Sequence, residues 1–225
     1  MITKEEFLHQ TLLELPLFQG LSNSDLLDII AHVDMDVMKV KPAKTFIREG
    51  SAYTHLMFLL KGEVCAETKA DDGRYIVKEH YSSPNILQPE HIFGLNQYFS
   101  STFSTLTPCE FIRIQKGMIY QLAADYEVFR LNLLNMLSTQ NQRLVRKPWR
   151  ILPHSIRQKI VRFFENHCVR PAGRKTFTIT MNQLATEIGE SRLNLSRELH
   201  RMEAESLISV HRGKIVIPAL EKLLM

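Results

Sequence analysis

Thr180-Met-Asn-Gln-Leu-Ala-Thr-Glu-Ile-Gly189 is followed, after Glu190, by Ser191-Arg-Leu-Asn-Leu-Ser-Arg-Glu-Leu-His-Arg-Met202, and this run is the key to the chain. Thr180 with Gln183 three residues on has the reciprocal pattern of a capping box, and Leu184, Ala185 and Ile188 give the helix it opens an apolar stripe. Gly189 predicts the stop, because glycine tolerates the left-handed backbone that ends many helices. Ser191 then predicts the cap of a second helix, whose Leu195, Leu199 and Met202 fall at i, i+4 and i+7 and share one buried face. Two helices joined by a short glycine-containing turn make a helix-turn-helix. Leu207-Ile208-Ser209-Val210, the turn His211-Arg212-Gly213-Lys214 and Ile215-Val216-Ile217 predict a β-hairpin with cations at its tip, the wing of a winged helix-turn-helix.

At about 100° per residue from the buried face of the second helix, Leu193, Arg197 and His200 point away from it, flanked by Arg192, Asn194, Ser196 and Arg201. Arginine pairs with guanine O6 and N7, asparagine with adenine N6 and N7, and an exposed leucine meets the thymine methyl, so this face suits a major groove. Lys214 in the wing suits phosphates. With the two cap residues, the candidate DNA-binding set is Thr180, Ser191, Arg192, Leu193, Asn194, Ser196, Arg197, Arg201 and Lys214. The charge distribution agrees: residues 147–225 hold 14 Lys and Arg against 7 Asp and Glu, whereas residues 1–146 hold 14 against 17. The basic excess accompanies the helix-turn-helix, as double-stranded DNA requires of a partner. Amphipathic helices and a hairpin also occur in domains without nucleic acid, so a protein-interaction or allosteric module with no specific DNA target stays open. The regulator alone predicts a steep salt dependence of DNA affinity.

The 225 residues, 44% hydrophobic and 23% charged, fit a globular protein of two modest domains. No apolar run approaches the roughly 18–20 residues of a membrane span, and the N-terminal residues lack the basic start and apolar stretch of a signal peptide, so the expected location is the cytoplasm. Cys65, Cys109 and Cys168 are scattered, which predicts reduced thiols and no metal or cofactor.

From about Val33 to Gln115 the pattern changes to short runs of β-branched and aromatic residues broken by turn signals. Examples are Thr45–Ile47 before Glu49-Gly50, His55–Leu60 before Lys61-Gly62, Val64–Thr68 before Asp71-Asp72-Gly73, Arg74–Tyr81, and Phe111–Ile114 as the last. Such spacing predicts an antiparallel jelly roll or barrel. Before it, Leu12 to Asp25 and beyond reads as short helices with Ser22 as a cap.

After the barrel, residues 116–147 read as helix with one break near Ala124-Asp125. Leu134, Leu137 and Leu144 follow alternating spacings of three and four if Asn141 fills the missing position, a coiled-coil seam holding one polar residue. Asparagine at such a position fixes register and two-stranded pairing, so a homodimer through residues 135–146 is expected; a helix packed on its own barrel is the alternative. Pro148 stops the helix. The expected domains are therefore 1–147, a barrel with its dimerisation helix, and 148–225, the winged helix-turn-helix, opened by a helix bearing Ile156, Ile160, Val161, Phe163 and Phe164 and followed by a turn at Pro171-Ala172-Gly173.

Further residues carry a resemblance that covers nearly the whole chain: Pro16-Leu17-Phe18 with Gly20-Leu21, the glycines of Arg48-Glu49-Gly50 and Leu60-Lys61-Gly62-Glu63-Val64, Ile92-Phe93-Gly94, and Ile179-Thr180 through Ile188-Gly189 with Ser191-Arg192 and Arg197. The chain resembles the Crp/Fnr family of bacterial transcription regulators. The resemblance implies an α+β chain: an N-terminal antiparallel β jelly roll like a cyclic-nucleotide-binding domain, a long dimerisation helix and a C-terminal winged helix-turn-helix. It also implies a homodimer on a palindromic promoter site, an effector that reorients the DNA-binding domains, and contact with RNA polymerase. Family members that bind cyclic AMP carry a Gly-Glu pair and then Arg-Ser or Arg-Ala, the arginine meeting the cyclic phosphate and the glutamate the ribose hydroxyl. Here Leu95 follows Gly94, and Tyr98-Phe99-Ser100-Ser101-Thr102-Phe103 contains no arginine. A buried cyclic phosphate without a cation is poorly compensated, so the expected effector is not cAMP. The candidate effector pocket is Gly94, Leu95, Asn96, Ser100, Ser101 and Thr102, completed by Gln140 and Asn141 of the dimer helix. Arg192 and Arg197 match the family's base-contacting arginines, yet the intervening glutamate that accepts from cytosine N4 is replaced by Leu193.

An enzymatic reading finds no support. His55, His80 and His91 lack the His-x-His pair of a metal-holding cupin barrel, and no nucleophile stands beside an evident base, so no catalytic residue is expected.

Overall fold

The structure, a computed structural model, describes residues 4–224. In chain order its strands are β1 (Met35–Val40), β2 (Thr45–Ile47), β3 (His55–Lys61), β4 (Glu63–Lys69), β5 (Ile76–Ser82), β6 (Asn85–Leu87), β7 (Thr102–Thr105), β8 (Cys109–Gln115), β9 (Lys175–Thr178), β10 (Ser209–His211) and β11 (Lys214–Ile217). Its α-helices are α1 (Lys4–Glu14), α2 (Asn23–His32), α3 (Lys116–Asp125), α4 (Glu127–Arg146), α5 (Ile156–Asn166), α6 (Met181–Ile188) and α7 (Arg192–Ala204). The chain gathers into two compact units. One holds the residues up to Val64 with Ser82–Ser100 and Ser104–Arg146; the other holds Cys65–Tyr81, Ser101–Phe103 and the chain from Lys147 onward. No helix of the described residues is long and apolar enough to cross a membrane.

In the first unit an antiparallel sheet runs β1-β8-β3-β6. Leu56, Met57, Phe58 and Leu59 are all buried. An unbroken apolar run of this kind belongs to a strand covered on both faces, which is why β3 lies inside the sheet and not at its edge. Phe18, from the segment between the first two helices, packs its ring 5.8 Å from Phe58 and 5.2 Å from Phe129 of α4, so the apolar residues before the barrel fasten helix to sheet. Ser22 caps α2 as expected: its hydroxyl accepts from the Asp25 N–H, and the Asp25 carboxylate accepts from the Ser22 N–H. Gly62 turns β3 into β4 at φ +97°, and a Cβ there would collide with the Pro108 carbonyl, so only glycine fits. The helical stretch after the barrel breaks at Tyr126, one residue beyond the expected Ala124-Asp125, where the backbone is extended between α3 and α4.

In the second unit a sheet runs β10-β11-β9-β5-β4. β9 pairs with the wing strand β11 through Lys214↔Thr178 to Ile217↔Lys175, and on its other edge with β5 through Ile76↔Thr178 to Glu79↔Lys175. β1 and the short strands β6, β7 and β9 are additional to the runs named from the sequence. The three or four residues of β6, β7 and β9 give too little alternation to stand out from turn-like neighbours. The core of this unit joins Ile160, Phe163 and Phe164 of α5, Phe177 of β9, Leu184 of α6, Leu195, Leu199 and Met202 of α7, and Val77 of β5. Tyr75 sets its ring edge-on to Phe163 and His167 at 5.7 and 5.3 Å.

Beneath that sheet lies a buried ion pair. Lys175 Nζ, wholly buried, donates to Glu79 Oε1 at 2.7 Å, and the Glu79 carboxylate also accepts from the backbone N–H groups of Val169 and Arg170 at 3.0 and 3.1 Å. With three donors on one carboxylate the charges are compensated, which is what permits both to leave water.

Candidate nucleic-acid interface

The two helices begin where the sequence places them. Thr180 Oγ1 accepts from the Gln183 N–H while Gln183 Oε1 accepts from the Thr180 N–H, closing the capping box of α6. Gly189 ends α6 at φ +65°, ψ 44°, and its N–H bonds the carbonyls of Ala185 and Thr186. Two residues later Ser191 Oγ accepts from the Asn194 N–H and caps α7. Leu195, Leu199 and Met202 are fully buried. That burial fixes the rotation of α7, so Arg192, Leu193, Asn194 and Arg197 emerge on the exposed side with Ser196 half-buried beside them.

The ion pairs of this unit sort its cations by role. Arg157 of α5 makes a bidentate pair with Glu205 beyond the end of α7 at 2.8 and 2.6 Å, and Lys159 reaches Glu190 in the turn between α6 and α7 at 2.6 Å. Glu165 holds Arg150, and Glu198 lies 3.4 Å from Arg201. Arg192, Arg197, Arg212 and Lys214, by contrast, have no side-chain partner among the described residues. Arg150, Arg157, Lys159 and Lys175 are thus paired with carboxylates inside the unit, whereas Arg192 and Arg197 on the outward face of α7 and Arg212 and Lys214 on the wing are not. Of the expected set, Arg201 alone is paired. The hydroxyls of Thr180 and Ser191 serve as caps, and the free backbone N–H groups of the first turn of α7 add a local positive dipole at Ser191.

The wing is anchored to α7. Glu203 Oε1, near the end of α7, accepts from the Val210 N–H of β10 at 2.7 Å. That bond, with the His200 imidazole nearby, holds the Glu203 carboxyl below its usual range. The wing turn places Gly213 at φ +71° between exposed Arg212 and Lys214.

Of the candidate effector residues, Gly94, Leu95, Asn96, Ser100, Gln140 and Asn141 belong to the first unit and Ser101 and Thr102 to the second. Gly94 lies at φ +92°, Leu95 is fully exposed and Asn96 is exposed. The Ser100 hydroxyl is held by Gln88 Nε2 at 2.7 Å and lies 3.2 Å from His91 Nε2, and the Gln88 carbonyl oxygen accepts from the Ser100 N–H at 3.1 Å. Ser101, buried, shares a 2.7 Å hydrogen bond with Thr68, and Thr102 opens β7. Gln140 is half-buried and Asn141 exposed on α4. In the first unit a separate groove of about 710 Å³ is lined by Tyr53, Phe93, Leu95, Tyr98, Lys116 and Tyr120 among others; Leu95 is the one candidate residue it includes. Its Lys116 donates to Gln97 Oε1 at 2.5 Å and lies 5.6 Å over the Phe93 ring. Sequence reasoning missed these residues, because tyrosines scattered over Tyr53–Tyr120 converge only in three dimensions.

On α4, Leu134 and Leu144 of the expected seam are exposed and Leu137 is half-buried; Leu131 and Val145 add to the exposed apolar surface. Phe129 and Leu133 face inward. The helix thus has one face on its own unit and, among the described residues, an apolar stripe left exposed.

Two family descriptions match the chain: the cyclic nucleotide-binding domain over residues 37–126 and the Crp-like helix-turn-helix domain over residues 158–225. In sequence the chain is similar to the cAMP-activated global transcriptional regulator CRP of Pasteurella multocida, with 23% identity over 186 residues that span 80% of this chain and 89% of that protein. In fold it is similar to the sensor domain of the transcriptional regulator DNR from Pseudomonas aeruginosa, with a TM-score of 0.53 and 21% identity over 68% of this chain and 98% of that one. A Crp/Fnr-family transcriptional regulator from Eubacterium rectale gives a TM-score of 0.52 and 19% identity over 94% and 97%.

Proposed function

The chain belongs to the Crp/Fnr family of DNA-binding transcription regulators, which are not enzymes, and from that premise we propose that it acts in the cytoplasm as a homodimer on palindromic promoter sites, under an effector other than cAMP. The domains we assign are 1–147 for sensing and dimerisation and 148–225 for DNA binding, with RNA polymerase as the partner at the promoter. The observation that carries the reading is the set of exposed cations without carboxylate partners on the outward face of α7 and on the wing, Arg192, Arg197, Arg212 and Lys214, while Arg157, Lys159 and Lys175 of the same unit are paired. Arg192, Leu193, Asn194, Ser196 and Arg197 read base edges; Thr180, Ser191, Arg201 and Lys214 meet the backbone.

Leu134, Leu137, Asn141 and Leu144 form the dimer seam, supported by the apolar surface α4 exposes. An exposed stripe this apolar on a 20-residue helix favours pairing with its copy. For the effector, cAMP activation of the curated relatives does not transfer to this chain. Residues 94–104 contain no arginine to meet a cyclic phosphate, and the Ser100 and Ser101 hydroxyls are already hydrogen-bonded within the protein.

Selection of random duplexes by the purified full chain without added ligand tests this reading. A palindromic motif, together with a dimeric mass by light scattering at micromolar concentration, is the expected result. No binding even at low salt, or a monomer, contradicts it, whereas weak, sequence-blind binding means that specific recognition requires the effector. Lys214→Ala is expected to weaken all sequences similarly and to reduce the slope of log affinity against log salt by about one unit per subunit, read from titrations at several salt concentrations. A change confined to one sequence would place Lys214 at a base instead.

A further inference from the structure

Leu193 is the only large apolar side chain exposed on α7 among the described residues, at 60% of its free area. It stands in the first turn of the helix between Arg192 and Asn194, and one turn before Arg197. The remaining leucines of this helix, Leu195 and Leu199, are wholly buried, so the helix has no shortage of core contacts that Leu193 would be supplying. No residue of the described chain covers it. The side chain is therefore an apolar group set in the middle of a surface otherwise made of hydrogen-bond donors.

Resting on the reading of α7 as the groove-entering helix, we infer that Leu193 selects a C5-methylated pyrimidine, thymine in ordinary DNA, at one position of each half-site. The pyrimidine C5 methyl is the apolar feature of the major-groove edge, whereas each other base-pair edge there offers donors and acceptors. A leucine pressed against such an edge strips water from polar atoms without replacing their hydrogen bonds, and an unpaired, dehydrated polar atom is costly. Against a methyl group the same leucine gains by removing apolar surface from water on both sides. Selection by Leu193 is thus a preference for a methyl and a penalty for everything else. It differs in kind from the hydrogen-bond readout available to Arg192, Asn194 and Arg197, and it makes no distinction between thymine and 5-methylcytosine on the methyl itself.

The test uses the full chain and synthetic duplexes carrying its selected site, in which each thymine is replaced in turn by deoxyuridine. That exchange deletes the methyl and leaves every Watson–Crick and hydrogen-bonding atom in place. At one position the wild-type protein is expected to lose affinity roughly fourfold per half-site, the equivalent of ~0.8 kcal/mol for one buried methyl-sized group, while Leu193→Ala binds the thymine and deoxyuridine duplexes equally. Cytosine placed there is expected to bind the wild type more weakly than 5-methylcytosine, a difference that Leu193→Ala also abolishes. Because the side chain is exposed, the variant is expected to keep its fold, which an unchanged circular-dichroism spectrum and denaturant midpoint verify. If wild type and variant respond alike at every thymine while both still bind the selected site, methyl readout by Leu193 is wrong and the groove assignment survives. If neither shows sequence-selective binding, the assignment of α7 to the groove fails, and this inference falls with it.

Discussion

Glu79→Ala is expected to destabilise the second unit by about 3–5 kcal/mol, the range found when one partner of a buried ion pair is removed. Lys175 is fully buried and its ammonium donates to Glu79 Oε1 at 2.7 Å, so the truncation leaves a cation without compensation in the core. It also strands the N–H groups of Val169 and Arg170, which donate to the same carboxylate. Denaturant unfolding followed by far-UV circular dichroism reads the loss as a lowered midpoint. Replacing both partners, as Glu79→Leu with Lys175→Met, is expected to recover the part of that loss due to the unpaired ammonium, but not the part due to the Val169 and Arg170 N–H groups, which still lack their acceptor. If Glu79→Ala and the double replacement lie equally low, packing and not charge compensation dominates at this site. The consequence reaches DNA binding because β9 is the strand on which the wing is registered: Lys175 lies opposite Ile217, and Thr178 opposite Lys214. A β9 that has lost its anchor no longer fixes the position of the wing cations.

The same ion pair marks where the sequence stops being informative. Lys175 sits in Arg174-Lys175-Thr176-Phe177-Thr178, which reads as a basic, solvated stretch, and its partner lies 96 residues earlier. Nothing local distinguishes a buried lysine from an exposed one, and strand pairing between β5 and β9 depends on which edges meet in three dimensions. Ser100 and Ser101 illustrate the same difficulty in the first half of the chain. Their hydroxyls look available for a ligand, but Gln88 and Thr68, 12 and 33 residues away, have taken them. The helix-turn-helix was legible for the opposite reason. Thr180 with Gln183, Gly189, and Ser191 with Asn194 act across three or four residues, so the signals for starting and stopping each helix lie inside the sequence they control. Apolar spacing then fixes which face of α7 is buried and, by exclusion, which face is offered outward. The absence of ion-pair partners for Arg192 and Arg197 came only from the structure, because partnership depends on the neighbouring helices.

Arg197→Ala is expected to lower affinity for the selected site by about 1–3 kcal/mol per half-site and to relax the preference at one base position. Arg197 lies one helical turn beyond Leu193 on the exposed face, and its guanidinium has no carboxylate partner among the described residues, so binding to guanine O6 and N7 breaks no existing ion pair. Arg201, four residues further along, lies 3.4 Å from Glu198 and should cost less when truncated, since part of its charge is already compensated and DNA must compete for it. The contrast between the two variants separates base readout from charge. Loss of a phosphate contact weakens all duplexes and lowers the salt slope, whereas loss of a base contact acts on the selected site and leaves nonspecific binding nearly intact. Anisotropy titrations of both variants against selected and scrambled duplexes, at two salt concentrations, give all of these quantities. Equal losses on selected and scrambled DNA for Arg197→Ala would move its guanidinium from the base edges to the backbone. The registration of α7 in the groove would then have to rotate toward Asn194 and Leu193, the residues that share its exposed first turn.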